Sequence, residues 1–307
     1  MFKKMLAALG VGGPSVDTVL SSPDTQPGRT LQGEVNIVGG DVDVDIEYVA
    51  LSLVTRGELG DDGPDGAIEL TRATVSGAFT LPAGQEYRIP FELAVPWESP
   101  ITVVYGQQLH GMAAGVHTEL AVAKAVDKTD LDAVRIHPLS SQEMVLDALA
   151  ALDCSIKSSD VETGRIAGVP QRLPAFQEIE YHPPGRYMGR INEIELTFIS
   201  TPHELHVVLE ADRNGDRFSE GGDEFGRWHV PHGEAEGFPW ADHIGSWLEG
   251  VAARVGHPGH EYGHEHDHGG GSGIGGMIAG VAGGVVGGMV LGEVIDEVGE
   301  AFFEDED

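Results

Sequence analysis

Alternating apolar and polar residues along much of the chain predict β-strands. The runs that carry this pattern cover residues 87–95, 116–126, 175–182, 193–200 and 205–211. Because side chains in a strand point to opposite faces in turn, each run has one face suited to a core. Short strands separated by turn residues favour a mainly β protein built from β-sandwiches.

The same pattern predicts how the chain divides into domains. A polar segment at 127–132 interrupts the strands and is typical of a linker, and a chain of 307 residues accommodates two domains. We therefore expect an N-terminal β-sandwich over residues 1–130 and a second β-sandwich over 131–215. The second carries a helix at 142–152. Residues 216–307 are expected to form an acidic tail that ends in a glycine-rich segment.

The chain is strongly acidic, with a formal net charge of −32 from 50 acidic and 18 basic residues. Such a surface repels nucleic acid and anionic lipid. Salt screens the repulsion among the protein's own charges, since the Debye length falls to roughly 3 Å at 1 M. We therefore expect a cytoplasmic protein from a halophilic source such as a haloarchaeon, in preference to an acidic protein of a mesophile, and no nucleic-acid partner.

Candidate catalytic residues are missing from the sequence. It has no Gly-x-Ser-x-Gly, P-loop, Rossmann glycine pattern or helical His-Glu-x-x-His. Its one cysteine, Cys154, stands just before an apparent strand, where a buried apolar role is more common than nucleophilic attack. The sequence therefore predicts a protein that is not an enzyme and has no cofactor.

Four segments in a fixed order carry a family resemblance. The first combines turns and strands around Gly39-Gly40 and the alternating run 45–56; the others are Leu173-Pro174-Ala175-Phe176-Gln177-Glu178-Ile179-Glu180-Tyr181, Asn192-Glu193-Ile194-Glu195 and Glu210-Ala211-Asp212-Arg213-Asn214-Gly215. Together they resemble the SpoOM family of sporulation-control proteins over about residues 1–215. The resemblance implies two tandem arrestin-like β-sandwiches and a regulatory or scaffolding role. Asn214 stands where the family has a second arginine, so no role of that basic cluster carries over.

Apolar residues recur at helical spacing between Pro239 and Gly256, which predicts an amphipathic helix. Two arrangements fit it. The helix packs on the protein's own second sandwich, which we favour, or it is offered to a partner's groove. In the second arrangement Trp240 and Trp247 are the interaction residues.

A histidine-rich run follows this helix. Dense neutral imidazoles can bind zinc, nickel or copper. No rigid scaffold orders them in the sequence, so a soluble linker is the favoured interpretation. The candidate metal ligands are His260, His264, His266 and His268.

Glycine recurs at every fourth position near the end of the chain. A helix with this spacing has a smooth face that another helix can approach closely. The segment 274–292 is uncharged and as long as a membrane span, but its acidic flanks lack the basic residues that orient a span. We favour helix–helix association, within or between chains, through Gly276, Gly280, Gly284, Gly288 and Gly292.

These patterns favour a cytoplasmic, non-catalytic regulatory adaptor that works through protein–protein contacts, with self-association as one form. One alternative is a membrane-tethered scaffold that uses residues 274–292. Another is a metal-binding protein that uses the histidine run. An enzyme ranks third, because it needs a substrate pocket that the sequence does not indicate.

Overall fold

The computed structural model describes residues 12–58, 65–213 and 224–254. Strands dominate these residues, which confirms the predicted mainly β class. In these ranges the protein has the α-helices α1 (Ser140–Ala151) and α2 (Trp240–Arg254), with short 3-10 turns at Gly185–Tyr187 and His232–Gly237. Its strands are β1 (Ser15–Leu20), β2 (Asp24–Thr25), β3 (Thr30–Val38), β4 (Val44–Glu58), β5 (Asp65–Ser76), β6 (Phe79–Leu81), β7 (Glu86–Ala94), β8 (Val103–Val104), β9 (Gln107–Gln108), β10 (Ala114–Val122), β11 (Lys128–Ala133), β12 (Arg135–Ile136), β13 (Ser155–Thr163), β14 (Ala175–His182), β15 (Ile191–Ser200), β16 (Glu204–Arg213) and β17 (Glu224–Pro231).

The N-terminal half, residues 12–133, is a two-sheet sandwich. One sheet has the order β1-β3-β7, and the other contains β11-β10-β4, with β5 and β6 on the far edge of β4. Leu31, Val35 and Ile37 of the first sheet and Leu51 and Leu53 of the second belong to one buried cluster. The alternation of apolar residues thus forms the expected core.

A double glycine lets two turns of this sandwich approach closely. A Cβ on Gly39 would lie 2.1 Å from the carbonyl oxygen of Pro82, and one on Gly40 would lie 2.2 Å from that of Gly12. Real Cβ atoms do not come so close to backbone oxygens. Both positions therefore require glycine for steric reasons.

The C-terminal half, residues 140–254, is built on one antiparallel sheet. Strands β13, β14, β15, β16 and β17 pair in sequence order. Buried residues of α1 and α2 share a cluster with the inner face of this sheet. Within the described residues the expected second sandwich is therefore a five-stranded sheet covered by two helices.

The prediction of a linker at residues 127–132 is wrong. Lys128–Ala133 is strand β11, which pairs with β10 from Leu120↔Lys128 to Gly115↔Ala133. Its sequence is polar because it is an edge strand, and the side chains of this strand are half-buried or exposed. The predicted domain boundary between residues 130 and 131 thus lies inside a strand.

The two halves also share a core. One hydrophobic cluster contains Leu51 and Ile101 together with Leu149, Leu196 and Leu248. A parallel contact between β4 and β13 joins their sheets into one of ten strands. One core therefore runs through both halves, where the sequence predicts two separate ones.

The predicted start of the tail at residue 216 is also wrong, because the chain returns to the sheet after it. Strand β17 pairs with β16 from Ala211↔Glu224 to Glu204↔Pro231. Helix α2 buries one face against the core. Residues 255–307, with the histidine run and the glycine face, lie outside the described residues, so those predictions stay untested. No helix in the described ranges is long and apolar enough to cross a bilayer.

Candidate functional site

The family-like segments of the C-terminal half meet on one face of the sheet. Strand pairing sets Glu180 opposite Glu195, and Glu195 opposite Glu210. In β13, Asp160 pairs with Glu178. Their neighbours in sequence, such as Ile179, lie on the core side, so these carboxyls share the outer side. We call this surface the acidic face; its residues are Asp160, Glu162, Glu178, Glu180, Glu193, Glu195, Glu210 and Asp212.

The centre of the acidic face is buried. Glu178 is only 4% exposed. One carboxyl oxygen each of Asp160, Glu178 and Glu195, and the hydroxyl of the fully buried Thr197, have no hydrogen-bond partner and almost no contact with solvent. Such groups carry a large desolvation cost when charged.

Burial accordingly raises the pKa of the central carboxyls. The pKa of Glu178 rises to about 11 and that of Glu195 to about 8, because both are desolvated and surrounded by other carboxyls. Burial raises the pKa of Asp160 to about 7, and the charges of Glu162 and Glu180 add to the effect. The centre of the face therefore holds protons at a pH where ordinary carboxyls have lost them.

One edge of the face behaves differently because a lysine lies on it. The ammonium of Lys157 is 2.6 Å from Oε1 of Glu193 and 3.0 Å from Oε2 of Glu180. Burial alone would raise the pKa of Glu180, but hydrogen bonds from Ser158 and Lys157 outweigh it and lower that pKa. The Glu180 and Glu193 side chains remain 25% exposed, so this edge is charged and reachable from solvent.

The β13–β14 loop covers the other end of the face. Its Ile166 packs with Phe176, Ile199 and Val208 in a small cluster separate from the main core. Arg227 of β17 donates to the carbonyl oxygen of Ala167 at 2.6 Å. This contact fixes the loop over the outer side of the sheet.

Behind the face, a glutamine side chain connects the two halves. Oε1 of Gln177 accepts the Ile101 N–H at 2.9 Å, and its Nε2 donates to the Ile101 carbonyl at 2.8 Å. The same Nε2 is 2.9 Å from Oγ of Ser159, whose backbone N–H donates to the His110 carbonyl. The three bonds of the Gln177 side chain are fully buried. We call the contacts between Gln177, Ser159, Ile101 and His110 the Gln177 clamp.

Two further contacts support this junction. The Glu98 carboxylate accepts the backbone N–H groups of Arg172 and Leu173 at 2.7–2.9 Å. The Trp97 ring stacks on His232, with centroids 5.7 Å apart. A cavity of about 230 Å³ remains beside the clamp, lined by Glu58, His110 and Asp160 among others. The acidic face therefore borders the place where the halves meet.

The predicted interaction residues of α2 divide into two cases. Trp240 is 3% exposed, and its Nε1 donates to the Ala235 carbonyl at 3.0 Å, so it is not available to a partner. Trp247 is half-buried and meets Trp228 edge to face, with centroids 6.3 Å apart. The favoured prediction, a helix packed on the protein's own sheet, is confirmed.

The remaining predicted sites have different outcomes. His260, His264, His266 and His268, and the glycines from Gly276 to Gly292, lie outside the described residues. In the described ranges, no three carboxyl, imidazole or thiol groups lie close enough to hold a metal ion. Cys154 is buried, as predicted, and burial raises the pKa of its thiol to about 12.

Sequence reasoning missed the acidic face. In each strand taken alone, the glutamates that alternate with apolar residues are typical of an ordinary solvent-exposed face. The available signal was the repeated acidic spacing at 178/180, 193/195 and 210/212 in three successive strands. Only the strand register shows that these pairs adjoin.

Comparison with known proteins supports the resemblance. The family model described as "SpoOM protein" matches residues 2–215. The sporulation-control protein spo0M of Bacillus subtilis (strain 168) is 33% identical over 215 residues, which span 69% of this chain and 80% of that protein. The crystal structure of Spo0M from Bacillus subtilis matches with a TM-score of 0.65 and 27% identity, covering 80% of this chain and 100% of that one. The chain therefore belongs to the SpoOM protein family.

Proposed function

We propose that this protein is a cytoplasmic, non-catalytic regulatory adaptor that binds a partner protein through the acidic face. The observation that carries the proposal is the convergence of three separate family-like segments on that face. Core packing requires apolar residues on the inner side, but it does not require carboxyls on the outer side of three neighbouring strands. The name of the Bacillus subtilis relative, a sporulation-control protein, supports a regulatory role.

The charge of the face indicates the partner's chemistry. Lys157 pairs with Glu180 and Glu193 at the exposed edge of the face, where the carboxyls outnumber the lysine. A partner segment with arginine or lysine would complement the remaining charge and would dock faster at low ionic strength. In a spore-forming cell the regulated process is sporulation, whereas in a haloarchaeon only the adaptor role carries over.

The architecture that we propose for this adaptor is a pair of arrestin-like lobes that share one core. A shared core suits a scaffold, because it holds the two lobes in a fixed arrangement. Absence of catalysis is part of the same proposal. It is supported by the thiol of Cys154, which burial keeps in its unreactive protonated form.

Affinity capture from native extract tests the proposal. The bait is the full chain, compared with a triple variant of the acidic face and a control variant. Both variants remove three negative charges, so general electrostatic attraction changes equally. The acidic-face variant is Glu162→Gln, Glu193→Gln and Asp212→Asn; the control is Glu47→Gln, Glu86→Gln and Glu92→Gln, on the N-terminal half.

The proposal expects a set of proteins retained by the wild type and by the control but lost from the acidic-face variant. Equal retention by all three baits would contradict a role for this face. Circular dichroism on each bait checks that the substitutions leave the fold intact.

A further inference from the structure

The acidic face and the Gln177 clamp are built from the same two strands. In β14, Gln177 points to the core side and Glu178 to the outer side. In β13, Ser159 and Asp160 alternate in the same way. Any movement that separates β13 from β14 on the acidic side therefore also disturbs the clamp behind it.

Carboxyl groups from both halves lie close together at the junction next to the Gln177 clamp. Asp160 lies directly across from Glu178 on the paired strand, and it borders the junction cavity together with Glu58. The contact that joins β4 to β13 is Glu58 beside Glu162. The sheet thus crosses between the halves where two glutamates stand side by side, an arrangement that is destabilising when both are charged.

The described charged groups near the central carboxyls are mostly acidic. The surrounding acids are Glu58, Glu162, Glu180, Glu193 and Glu210, and the cations and imidazoles near them are Lys157 on the far edge, with Arg56 and His110 at the cavity. Burial and this crowding raise the pKa of Asp160 to about 7 and of Glu195 to about 8. Ionisation in the packed state would place negative charges in a desolvated site beside other carboxyls, which is strongly unfavourable.

We propose that Asp160, Glu178 and Glu195 form a proton-dependent latch on the junction. When they are protonated, β13 and β14 stay packed and Gln177 holds Ile101. When Asp160 and Glu195 ionise, repulsion from neighbouring carboxylates such as Glu58 and Glu162 drives β13 away from its neighbours. Glu178, whose pKa in the packed sheet is about 11, ionises only after the strands have parted. The clamp then opens, and the carboxyls reach water.

The latch deepens the proposed function, because it places the partner-binding face under control of pH. Opening at mildly alkaline pH adds negative charge to the face and loosens the link between the lobes. The test needs no partner, so failure of the latch and failure of the adaptor proposal are distinguishable.

Amide hydrogen exchange tests the latch on the full chain between pH 6 and pH 9, after correction for intrinsic exchange rates. The probe is the Ile101 N–H, which Gln177 protects, and the reference is the Val35 amide in the β1-β3-β7 sheet. We expect protection of Ile101 to fall roughly tenfold or more across this range, since each unit of pKa difference is worth a factor of ten. Protection at Val35, which reports on unfolding of the whole core, is expected to fall less than protection at Ile101.

Neutral substitutions complete the test. Glu178→Gln and Asp160→Asn each remove one ionisable group with little change in size, and either should make the Ile101 protection less dependent on pH. Glu92→Gln serves as the control and should behave like the wild type. The latch is overturned if Ile101 protection is constant with pH in the wild type, if Val35 loses protection in parallel, or if both neutral variants match the wild type.

Discussion

The side-chain amide of Gln177 pairs with the backbone of Ile101 in the way that a neighbouring strand would. The side-chain amide of Gln177 accepts the Ile101 N–H and donates to the Ile101 carbonyl, at 2.9 and 2.8 Å. Ile101 lies in the N-terminal half and Gln177 in the centre of β14. One side chain thus satisfies two buried backbone groups across the junction.

Replacing Gln177 should reveal how much this pairing stabilises the protein. Gln177→Leu keeps the volume but leaves the Ile101 N–H and C=O unpaired in the core. Each unsatisfied buried group costs up to a few kcal/mol, so the free energy of unfolding should fall by about 2–4 kcal/mol. Denaturant titration measures it. The exposed Gln32→Ala is the control, and a loss equally small in both would refute the assigned role.

The acidic face should make stability depend on pH. The folded-state pKa values of Asp160 and Glu195, about 7 and about 8, lie above their ordinary values of 3.8 and 4.5. The folded state therefore binds these protons more tightly. The resulting stabilisation is complete below about pH 4 and is lost as the pH rises through 7 and 8.

Glu195→Gln should flatten that dependence. Between pH 5 and 9, the wild type should lose about 2–4 kcal/mol more unfolding free energy than the variant. Parallel denaturant titrations at several pH values measure the difference, with Glu92→Gln as the control. Identical slopes for wild type and Glu195→Gln would show that Glu195 does not titrate in this way.

The thiol of Cys154 should be inert in the folded protein. It is 6% exposed, and burial raises its pKa to about 12, so almost no thiolate exists at pH 8. Labelling with iodoacetamide should be slow in the native state and fast in denaturant. Rapid labelling of the native protein would mean that the α1–β13 turn opens often.

Salt should stabilise the protein. With a net charge of −32, self-repulsion is strong at low ionic strength and is screened as potassium chloride rises. The unfolding midpoint should therefore increase from low to multimolar salt. A flat or falling midpoint would count against the halophilic origin that the composition indicates.

The strands were predictable where their pattern is local. The alternating run at 175–182 coincides with β14, and the periodic residues after Pro239 form α2 packed on the sheet. Strand β11 was not predicted, because the polar residues of an edge strand resemble those of a linker. The pairing of Glu58 with Glu162 could not be predicted from local pattern, because it joins segments about a hundred residues apart in sequence.

The candidate site was harder to predict than the fold. Glu178, Glu195 and Glu210 come from three strands, and only the register brings them together. Burial of Glu178 is also invisible in sequence, since glutamate is usually exposed. In contrast, the burial of Cys154 followed from its place at a strand start.

Partner binding is the role that we propose for the acidic face. Its most direct test is the dissociation constant of a captured partner for the purified wild type and the two charge-matched triple variants, measured by calorimetry at fixed salt. We expect the acidic-face variant, Glu162→Gln, Glu193→Gln and Asp212→Asn, to bind about tenfold or more weakly. The control, Glu47→Gln, Glu86→Gln and Glu92→Gln, should stay within about twofold of the wild type. Equal affinity for the wild type and the acidic-face variant would contradict this role of the face.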